Sequence, residues 1–230
     1  MSDLDIGMND WMCPDLQWDD AYRPDRGKVL SSDEIAGLDK FYRYVDRDDD
    51  AIPYRTLPGS NPKGAYFTRG SGHNQYGAYT EDSAEYQFVL DRLKRKFANA
   101  PKYLPKPVIA AKGSEVGIVS LGSCDGAIRE ALDALGRQKI DVDYMRVRAF
   151  PFNSDVEAFL KSHTTIFVVE QNRDAQLKSL LTLETAVEKS KLFSILSYSG
   201  FPMSAQPIVD GIRAKLAEAP RLSAVPRVPR

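Results

Sequence analysis

Apolar positions follow two different regimes along the chain, and the change comes near residue 105. Beyond it, short apolar runs alternate with amphipathic stretches. Glu115–Leu121 (EVGIVSL), Val142–Val147, Thr165–Glu170 (TIFVVE) and Leu192–Tyr198 are runs of strand length. Between them, Ile128, Ala131, Leu132 and Leu135 recur at helical spacing within Ala127–Gln138. Val156, Phe159 and Leu160 do the same after Ser154, which with Glu157 has capping-box spacing. Leu177, Leu180, Leu181 and Leu183 mark a helix over Arg173–Glu188, and Ile208–Ala217 a last one. Strands that are apolar throughout are buried on both faces. Strand–helix alternation implies right-handed crossovers. The predicted fold class is α/β over residues 108–218: a mostly parallel sheet with helices on both faces. The proline- and arginine-rich end, 219–230, is expected to be a disordered tail.

Before residue 105 the periodicity is poor, and residues 1–100 read as an irregular arm. Two helices are predicted there. One covers Ser31–Tyr42, with Ser31 or Ser32 as N-cap; the other covers Asp82–Ala98, opened by an Asp82/Glu85 capping box. In the second, Tyr86, Val89, Leu90, Leu93 and Phe97 form an apolar face. Arg92, Lys94, Arg95 and Lys96 form a basic one, read as solvated. The rest is dense in turn signals, among them Pro58-Gly59, Gly64, Gly70 and Gly72. Residues 101–107 (PKYLPKP) are read as an extended linker, because its prolines cannot continue a helix.

Composition and charge narrow the function classes. A chain of 230 residues buries about 70% of its unfolded surface when compact, enough for one good core. The net charge of -1 lacks the basic excess of a nucleic-acid binder. Residues 1–60 hold 14 acidic against 7 basic side chains. No apolar run approaches the ~20 residues that span a bilayer. The acidic start, MSDLDIGMNDWMC, has no signal-peptide pattern, so no membrane partner and a cytoplasmic location are expected. The only cysteines, Cys13 and Cys124, are too few to hold an iron–sulfur cluster.

Ligands of open α/β sheets gather beyond the C-terminal strand ends. At the first such end, Gly122-Ser-Cys-Asp-Gly126 is a tight strand–helix turn without the nucleotide-binding glycine spacing. Cys124 has no partner histidine and reads as inert. Glu170-Gln-Asn-Arg-Asp174 is a polar cluster in which Asn172 and Asp174 suit capping of the next helix and Glu170 and Arg173 suit an ion pair. Such a cluster also serves an interface. Asp46, Asp48 and Asp50 open like a calcium loop. Its sixth and twelfth positions are Ala51 and Leu57, so an acidic solvated turn is favoured and no metal is assigned. His73, between Gly72 and a turn, reads as a satisfied structural histidine. No self-sufficient catalytic constellation emerges, and no catalytic residue is assigned. Residues 1–80 carry many aromatics, Trp11 and Trp18 among them, without a periodicity to bury them. They are interface anchors, or they pack on the chain's own α/β domain. The interface candidates are Trp11, Trp18, His73, Glu170, Asn172 and Arg173.

Several longer strings occur in a particular order. They are Ile6-Gly-Met-Asn-Asp-Trp-Met12, Ile52-Pro-Tyr-Arg-Thr-Leu-Pro-Gly59, Gly64-Ala-Tyr-Phe-Thr-Arg-Gly70 with Gly72-His73, Tyr79-Thr-Glu-Asp82, Val168-Val-Glu-Gln-Asn-Arg-Asp174 and Gly200-Phe-Pro202. Together, over residues 4–217, they resemble the C-terminal part of the alpha subunit of 2-oxoacid:ferredoxin oxidoreductases, the 2-oxoglutarate type in particular. The resemblance implies a domain similar to the transketolase C-terminal domain, with an edge strand near Pro107–Ala110 able to run antiparallel. Residues 1–100 then match the end of the pyrimidine-side domain. It also implies an enzyme that oxidatively decarboxylates a 2-oxoacid on thiamine diphosphate, passes electrons through iron–sulfur chemistry to ferredoxin and gives the acyl group to coenzyme A. The family's substrate motif and thiamine motif are absent from these residues. Thiamine diphosphate, Mg and [4Fe-4S] are therefore implied in a partner beta subunit. The chain itself is expected to be a non-catalytic alpha-subunit fragment or split-gene product that holds no cofactor alone. A stand-alone α/β binding module that kept the fold without the reaction is the other reading.

Overall fold

The computed structural model describes residues 4–8, 12, 14–68 and 70–218. They fall into two units: residues 13–103 form one, and residues 1–12 with 104–230 form the other.

The second unit holds the sheet. Strands β1 (Val108–Ala110), β2 (Val116–Leu121), β3 (Asp143–Val147), β4 (Thr165–Glu170) and β5 (Leu192–Leu196) stand in the order β1-β3-β2-β4-β5. All neighbours are parallel except β1, which runs antiparallel to β3 at the edge, with Ile109 opposite Met145. Each predicted strand lies within a residue or two of its observed place. The antiparallel edge falls where the family resemblance put it.

The helices of this unit are α1 (Leu4–Met8), α4 (Cys124–Arg137), α5 (Ser154–Ser162), α6 (Gln176–Glu184) and α7 (Ala205–Glu218). Successive strand residues point to opposite faces, and both faces are apolar. Ile118, Tyr144, Phe167 and Val169 pack with Ile128, Ala131 and Leu135 of α4 and Ile208 and Ile212 of α7. Val119, Met145, Ile166 and Val168 pack with Val156, Phe159 and Leu160 of α5 and Leu177 and Leu181 of α6. Gly117 of β2 has a steric reason for its identity: a Cβ there would stand 3.0 Å from the rings of His163 and Phe159.

A buried polar knot ties the N-terminal end of β3. The Asp143 carboxylate accepts the backbone N–H groups of Lys112 (2.7 Å), Gly113 (3.2 Å) and Ser114 (3.2 Å). His163 Nε2 lies 3.3 Å from Asp143 Oδ2 and its Nδ1 2.6 Å from the carbonyl of Phe159. Asp143 and His163 are each 2% exposed.

The unit of residues 13–103 contains α2 (Ser32–Ala36) and α3 (Ser83–Asn99). Its core is small: Leu30, Ile35 and Phe41 are buried, with Leu38 and Tyr54 against them. Side chains bonding to backbone supply much of the remaining order. Thr56 donates to the Gly64 carbonyl (2.8 Å), and a Cβ on Gly64 would press on Ile35 and Thr56 at 3.2 Å. Lys63 Nζ donates to the carbonyls of Ala36 and Leu38 at the end of α2.

Several expected helix boundaries and caps change: α4 and α7 begin three residues earlier than expected, at Cys124 and Ala205, and α6 is shorter at both ends, Gln176–Glu184. Of the two expected caps Ser31 is the one used, in a capping box with Glu34, but α2 ends at Ala36 instead of Tyr42, because Gly37 caps it and its N–H closes the last turn. Asp82 does cap α3, through Glu85 N (2.9 Å), but the reciprocal half of the box is missing. Glu85 accepts the Thr80 hydroxyl instead (2.7 Å), and Thr80 Oγ1 accepts Asp82 N. α5 is capped by Asn153, whose side chain accepts Val156 N, and Ser154 is its first residue. Among the described residues no helix is long and apolar enough to cross a membrane. Trp11, Cys13 and the tail 219–230 lie outside the described residues.

Candidate functional site

The strand order defines a switch point. β2 has β3 on one side and β4 on the other, so connections leave in opposite directions, and in open α/β sheets the crevice at such a point, beyond the C-terminal strand ends, is where ligands bind. Gly122, at φ +66°, turns the chain from β2 into α4. The polar groups meeting there come from three distant stretches. Ser123 Oγ donates to Asp5 Oδ2 (3.0 Å), and Gln171 Nε2 donates to the same oxygen (3.2 Å) and to Ser123 Oγ (2.8 Å). The crevice thus receives a carboxylate from α1, across 118 and 166 residues of chain.

A second network lies beside it. Tyr144 Oη is 2.9 Å from Ser120 Oγ and donates to Asp125 Oδ1 (3.1 Å). Asp125 Oδ2 accepts Arg129 Nε (2.9 Å) and pairs with Arg146 at 3.6 Å. Burial pushes the Tyr144 hydroxyl far above the ordinary tyrosine range, so it stays a proton donor at neutral pH. Cys124, between Ser123 and Asp125 in the sequence, is buried.

The strand-end cluster after β4 is a capping device. Glu170 is 2% exposed, and its carboxylate accepts Leu177 N (2.6 Å), Lys178 N (3.1 Å) and Asn172 Nδ2 (2.8 Å). It satisfies N–H groups in the first turn of α6, and little of its surface is left for a partner. The expected Glu170–Arg173 pair does not form, because Glu170 faces inward; Arg173 Nε donates to Asp174 instead (2.8 Å). Asn172 caps as predicted, accepting Gln176 N (3.2 Å) and Asp174 N (3.1 Å). Asp174 does not, and α6 starts at Gln176 after Ala175 takes a left-handed φ of 51°.

In the other unit, the acidic turn already has its cations. Lys28 Nζ lies 2.6 Å from both Asp48 and Asp50. Arg95 of α3 bridges Asp49 (2.8 Å) and Asp46 (3.3 Å). Desolvation pulls the Lys28 ammonium down, but the bonds to both carboxylates outweigh it and hold its pKa above the usual lysine range. Hydrogen bonding to Lys28 in turn lowers Asp48 and Asp50. The backbone bends as a calcium loop would: Asp46 accepts Ala51 N (2.8 Å), and Ala51 occupies a φ of 67° that favours glycine. His73 stacks on Tyr44 with centroids 4.2 Å apart, and its Nδ1 is 2.8 Å from the Asn74 carbonyl. Trp18 is 87% exposed and donates to Asp20 (2.8 Å).

Of the sequence candidates, the structure joins only Glu170, Asn172 and, through Asp174, Arg173. The Asp5–Ser123–Gln171 contact and the Lys28 ammonium between Asp48 and Asp50 were not foreseen. Ser123 and Gln171 stand at predicted strand ends, but nothing local in the sequence points to their acidic partner. Among the described residues no three His, Cys, Asp or Glu side chains converge to hold a metal ion. These residues do not fit an iron–sulfur cluster or a metal-bound diphosphate.

No protein-family model matches the chain. It is 26% identical over 205 residues to the 2-oxoacid:ferredoxin oxidoreductase subunit alpha of Saccharolobus solfataricus, covering 86% of this chain and 31% of that protein. It is 28% identical over 194 residues to the 2-oxoacid:ferredoxin oxidoreductase 2 subunit alpha of Aeropyrum pernix, covering 82% and 29%. Its fold matches the 2-oxoglutarate:ferredoxin oxidoreductase of Magnetococcus marinus, solved with 2-oxoglutarate, coenzyme A and succinyl-CoA bound, at a TM-score of 0.70 and 23% identity over 78% of this chain and 31% of that one. The chain therefore spans about a third of the length of the proteins it matches, and over most of its own length it is similar to alpha subunits of 2-oxoacid:ferredoxin oxidoreductases.

Proposed function

We propose that this chain works as the alpha-type component of a 2-oxoacid:ferredoxin oxidoreductase, in the cytoplasm, and that the 2-oxoacid is 2-oxoglutarate. In this reading the beta subunit brings thiamine diphosphate, Mg and the [4Fe-4S] cluster. The assembled enzyme oxidises and decarboxylates the 2-oxoacid, reduces ferredoxin and transfers the acyl group to coenzyme A. The present residues contribute assembly and shape rather than chemistry. The observation that carries the reading is the similarity to alpha subunits over more than four-fifths of the chain. The strand-end geometry supports the non-catalytic part. Glu170 is committed to capping α6, and Asp5, Ser123 and Gln171 to one another. Docking on the beta subunit is assigned to residues 1–80, with Trp11 and the exposed Trp18 among the anchors; His73, Asn172 and Arg173 are separate interface candidates.

Co-expression with the cognate beta subunit and with a polypeptide that carries the family's substrate motif, which these residues lack, tests this. The reading expects a stable complex that reduces a viologen acceptor with 2-oxoglutarate and coenzyme A, while the isolated chain is inactive and colourless. A chain that remains monomeric beside the beta subunit, or that turns over alone, overturns it.

A further inference from the structure

The face of the sheet that α4 and α7 cover stays open at its β1 edge. Val108 and Ala110 stand opposite Arg146 and Tyr144 in the register of β1 with β3. Directly opposed residues share a face, so both point to the side where Tyr144 packs with α4. Between β1 and the second half of α4 lies a groove of about 580 Å³, with Val108, Ala110, Leu132, Ile140 and Val142 in its walls. Val108 is 44% exposed, and Leu132, Ile140 and Val142 are only partly buried. Asp133 and Asp141 also line the groove; both are exposed and have no ion-pair partner among the described residues. Of the cations beside them, Arg129 is paired with Asp125, and Lys112 has no acidic partner among the described residues.

α7 ends on the same face and at the same end of the sheet. A Cβ on Gly211 would stand 3.1 Å from Ile195, and Lys215 Nζ lies 4.4 Å from the centre of the Phe193 ring. α7 therefore runs back along β5 toward that strand's N-terminal end, as α4 runs back to the start of β3. Leu216 joins the same apolar cluster as Leu132 and Ile140. Residues 219–230, APRLSAVPRVPR, follow α7 and repeat at every third position. Pro220, Pro226 and Pro229 hold one place of the repeat, Arg221, Arg227 and Arg230 the next, and Leu222, Val225 and Val228 the third. A polyproline-type chain has about three residues per turn and no internal hydrogen bonds. In that form such a sequence has one apolar edge and one arginine edge, and it needs a groove to rest on.

We infer that residues 219–230 dock in this groove of their own chain, with Leu222, Val225 and Val228 against its apolar walls and arginines on Asp133 and Asp141. Apolar grooves with polar rims are how proline-rich segments are recognised elsewhere. Reach allows it. α7 lies toward the β5 edge and the groove at the β1 edge, with α4 between them. At about 3.1 Å per residue the segment spans roughly 37 Å, and a helix is about 10 Å across. Charge and shape favour this occupant. The segment has three arginines and no acidic side chain, against two free aspartates at the groove. The same groove on a second copy is concave too and cannot fill it. Tethering also keeps the segment at an effective concentration on the order of 1 mM. The inference concerns the α/β unit alone and stands apart from the proposed enzyme.

The test uses the full chain, a chain cut after Glu218 and a synthetic peptide of residues 219–230. Removing the segment should shift the methyl resonances of Val108, Leu132 and Val142. Those of Val119 and Leu181, on the other face of the sheet, should stay in place. The peptide should bind the cut chain saturably with a Kd of about 1 mM or tighter. It should bind the full chain at least about twofold more weakly, because the tethered segment competes for the groove. Asp133→Lys with Asp141→Lys leaves the apolar walls intact and should weaken peptide binding to the cut chain roughly tenfold. A peptide carrying Arg221→Glu, Arg227→Glu and Arg230→Glu should prefer that variant to the parent. The inference fails if cutting leaves the Val108, Leu132 and Val142 methyls unmoved. It fails if the peptide does not bind the cut chain up to roughly 5 mM, or if it binds the parent and the lysine variant equally. It also fails if sedimentation shows the segment joining two chains, since the occupant then comes from a second copy.

Discussion

The two units of this chain reach order by different means. In the α/β unit, periodic elements bury two continuous apolar clusters, one on each face of the sheet. In the 13–103 unit the buried cluster is three residues, and aromatic and aliphatic side chains such as Trp18, Phe67, Tyr76, Leu90 and Phe97 stand substantially exposed. There the chain is held by capping side chains, ion pairs and turns. Apolar burial stabilises in proportion to area, whereas exposed ion pairs contribute little. The first unit should therefore be the more stable one. The second presents the kind of surface that aromatic-rich interfaces use.

The largest expected effect lies in the α/β core. Phe167 on β4 is enclosed by residues of α4 and α7. Phe167→Ala should cost about 4 kcal/mol through lost burial and a cavity. Followed by hydrogen exchange, the loss should appear in residues 108–218 and leave amides of the 13–103 unit unchanged. Equal loss in both units would show that they unfold together and would break the contrast.

Next is the Asp143–His163 knot. Burial raises the Asp143 pKa, but the bonds from Lys112, Ser114, His163 and Gly113 outweigh it and place it below the usual carboxylate range. A carboxylate depressed on folding adds stability that is complete above its unfolded value. That stability is lost as pH falls through the folded value. The α/β unit should therefore lose stability as pH drops below about 4. Asp143→Ala should remove about 3 kcal/mol at neutral pH by stranding the buried imidazole and three N–H groups, and should flatten this part of the acid limb. An acid limb as steep in the variant as in the parent would assign the dependence to other carboxylates.

How far each unit could be read from the sequence follows from the same contrast. Strands such as Thr165–Glu170 were legible because Ile166–Val169 are all buried, and two-sided burial writes itself as consecutive apolar letters. The face of α3 was legible as a pattern but not as a fate. Spacing shows which residues share a stripe, yet Arg92, read as solvated, is buried, while Leu90 and Leu93 stay half-exposed. Capping was legible where donor and acceptor are three residues apart, as where Asp82 accepts Glu85 N. It failed where Glu170 reaches forward seven residues to Leu177. The polar contacts at the switch point were illegible, because Asp5 and Gln171 are joined only by the completed fold.

A smaller effect is expected from the acidic turn. Lys28 joins Asp48 and Asp50 near the surface, so screening limits its contribution. Lys28→Ala should lower the melting of the 13–103 unit by no more than about 3 °C, and less at high salt. If a structural cation is what the turn requires, Lys28→Arg should restore most of the loss. A drop as large as that of Phe167→Ala would mean that this ion pair, rather than the small core, holds the unit together.

The smallest global effect, and the sharpest local one, concerns Asp5. By chain order it precedes the irregular unit, yet its carboxylate is held by Ser123 and Gln171 of the α/β unit. Asp5→Ala removes the acceptor for both donors. Ser123 and Gln171 still bond to each other at 2.8 Å, so the strand ends should hold and the melting temperature should shift by less than about 2 °C. Residues 4–8, anchored by this carboxylate, should lose protection from hydrogen exchange, because a five-residue helix has no stability of its own. Asp5→Asn keeps one acceptor oxygen and should retain part of the protection. Unchanged exchange at residues 4–8 in Asp5→Ala would show that apolar contacts of α1, not this carboxylate, fasten the segment to the sheet.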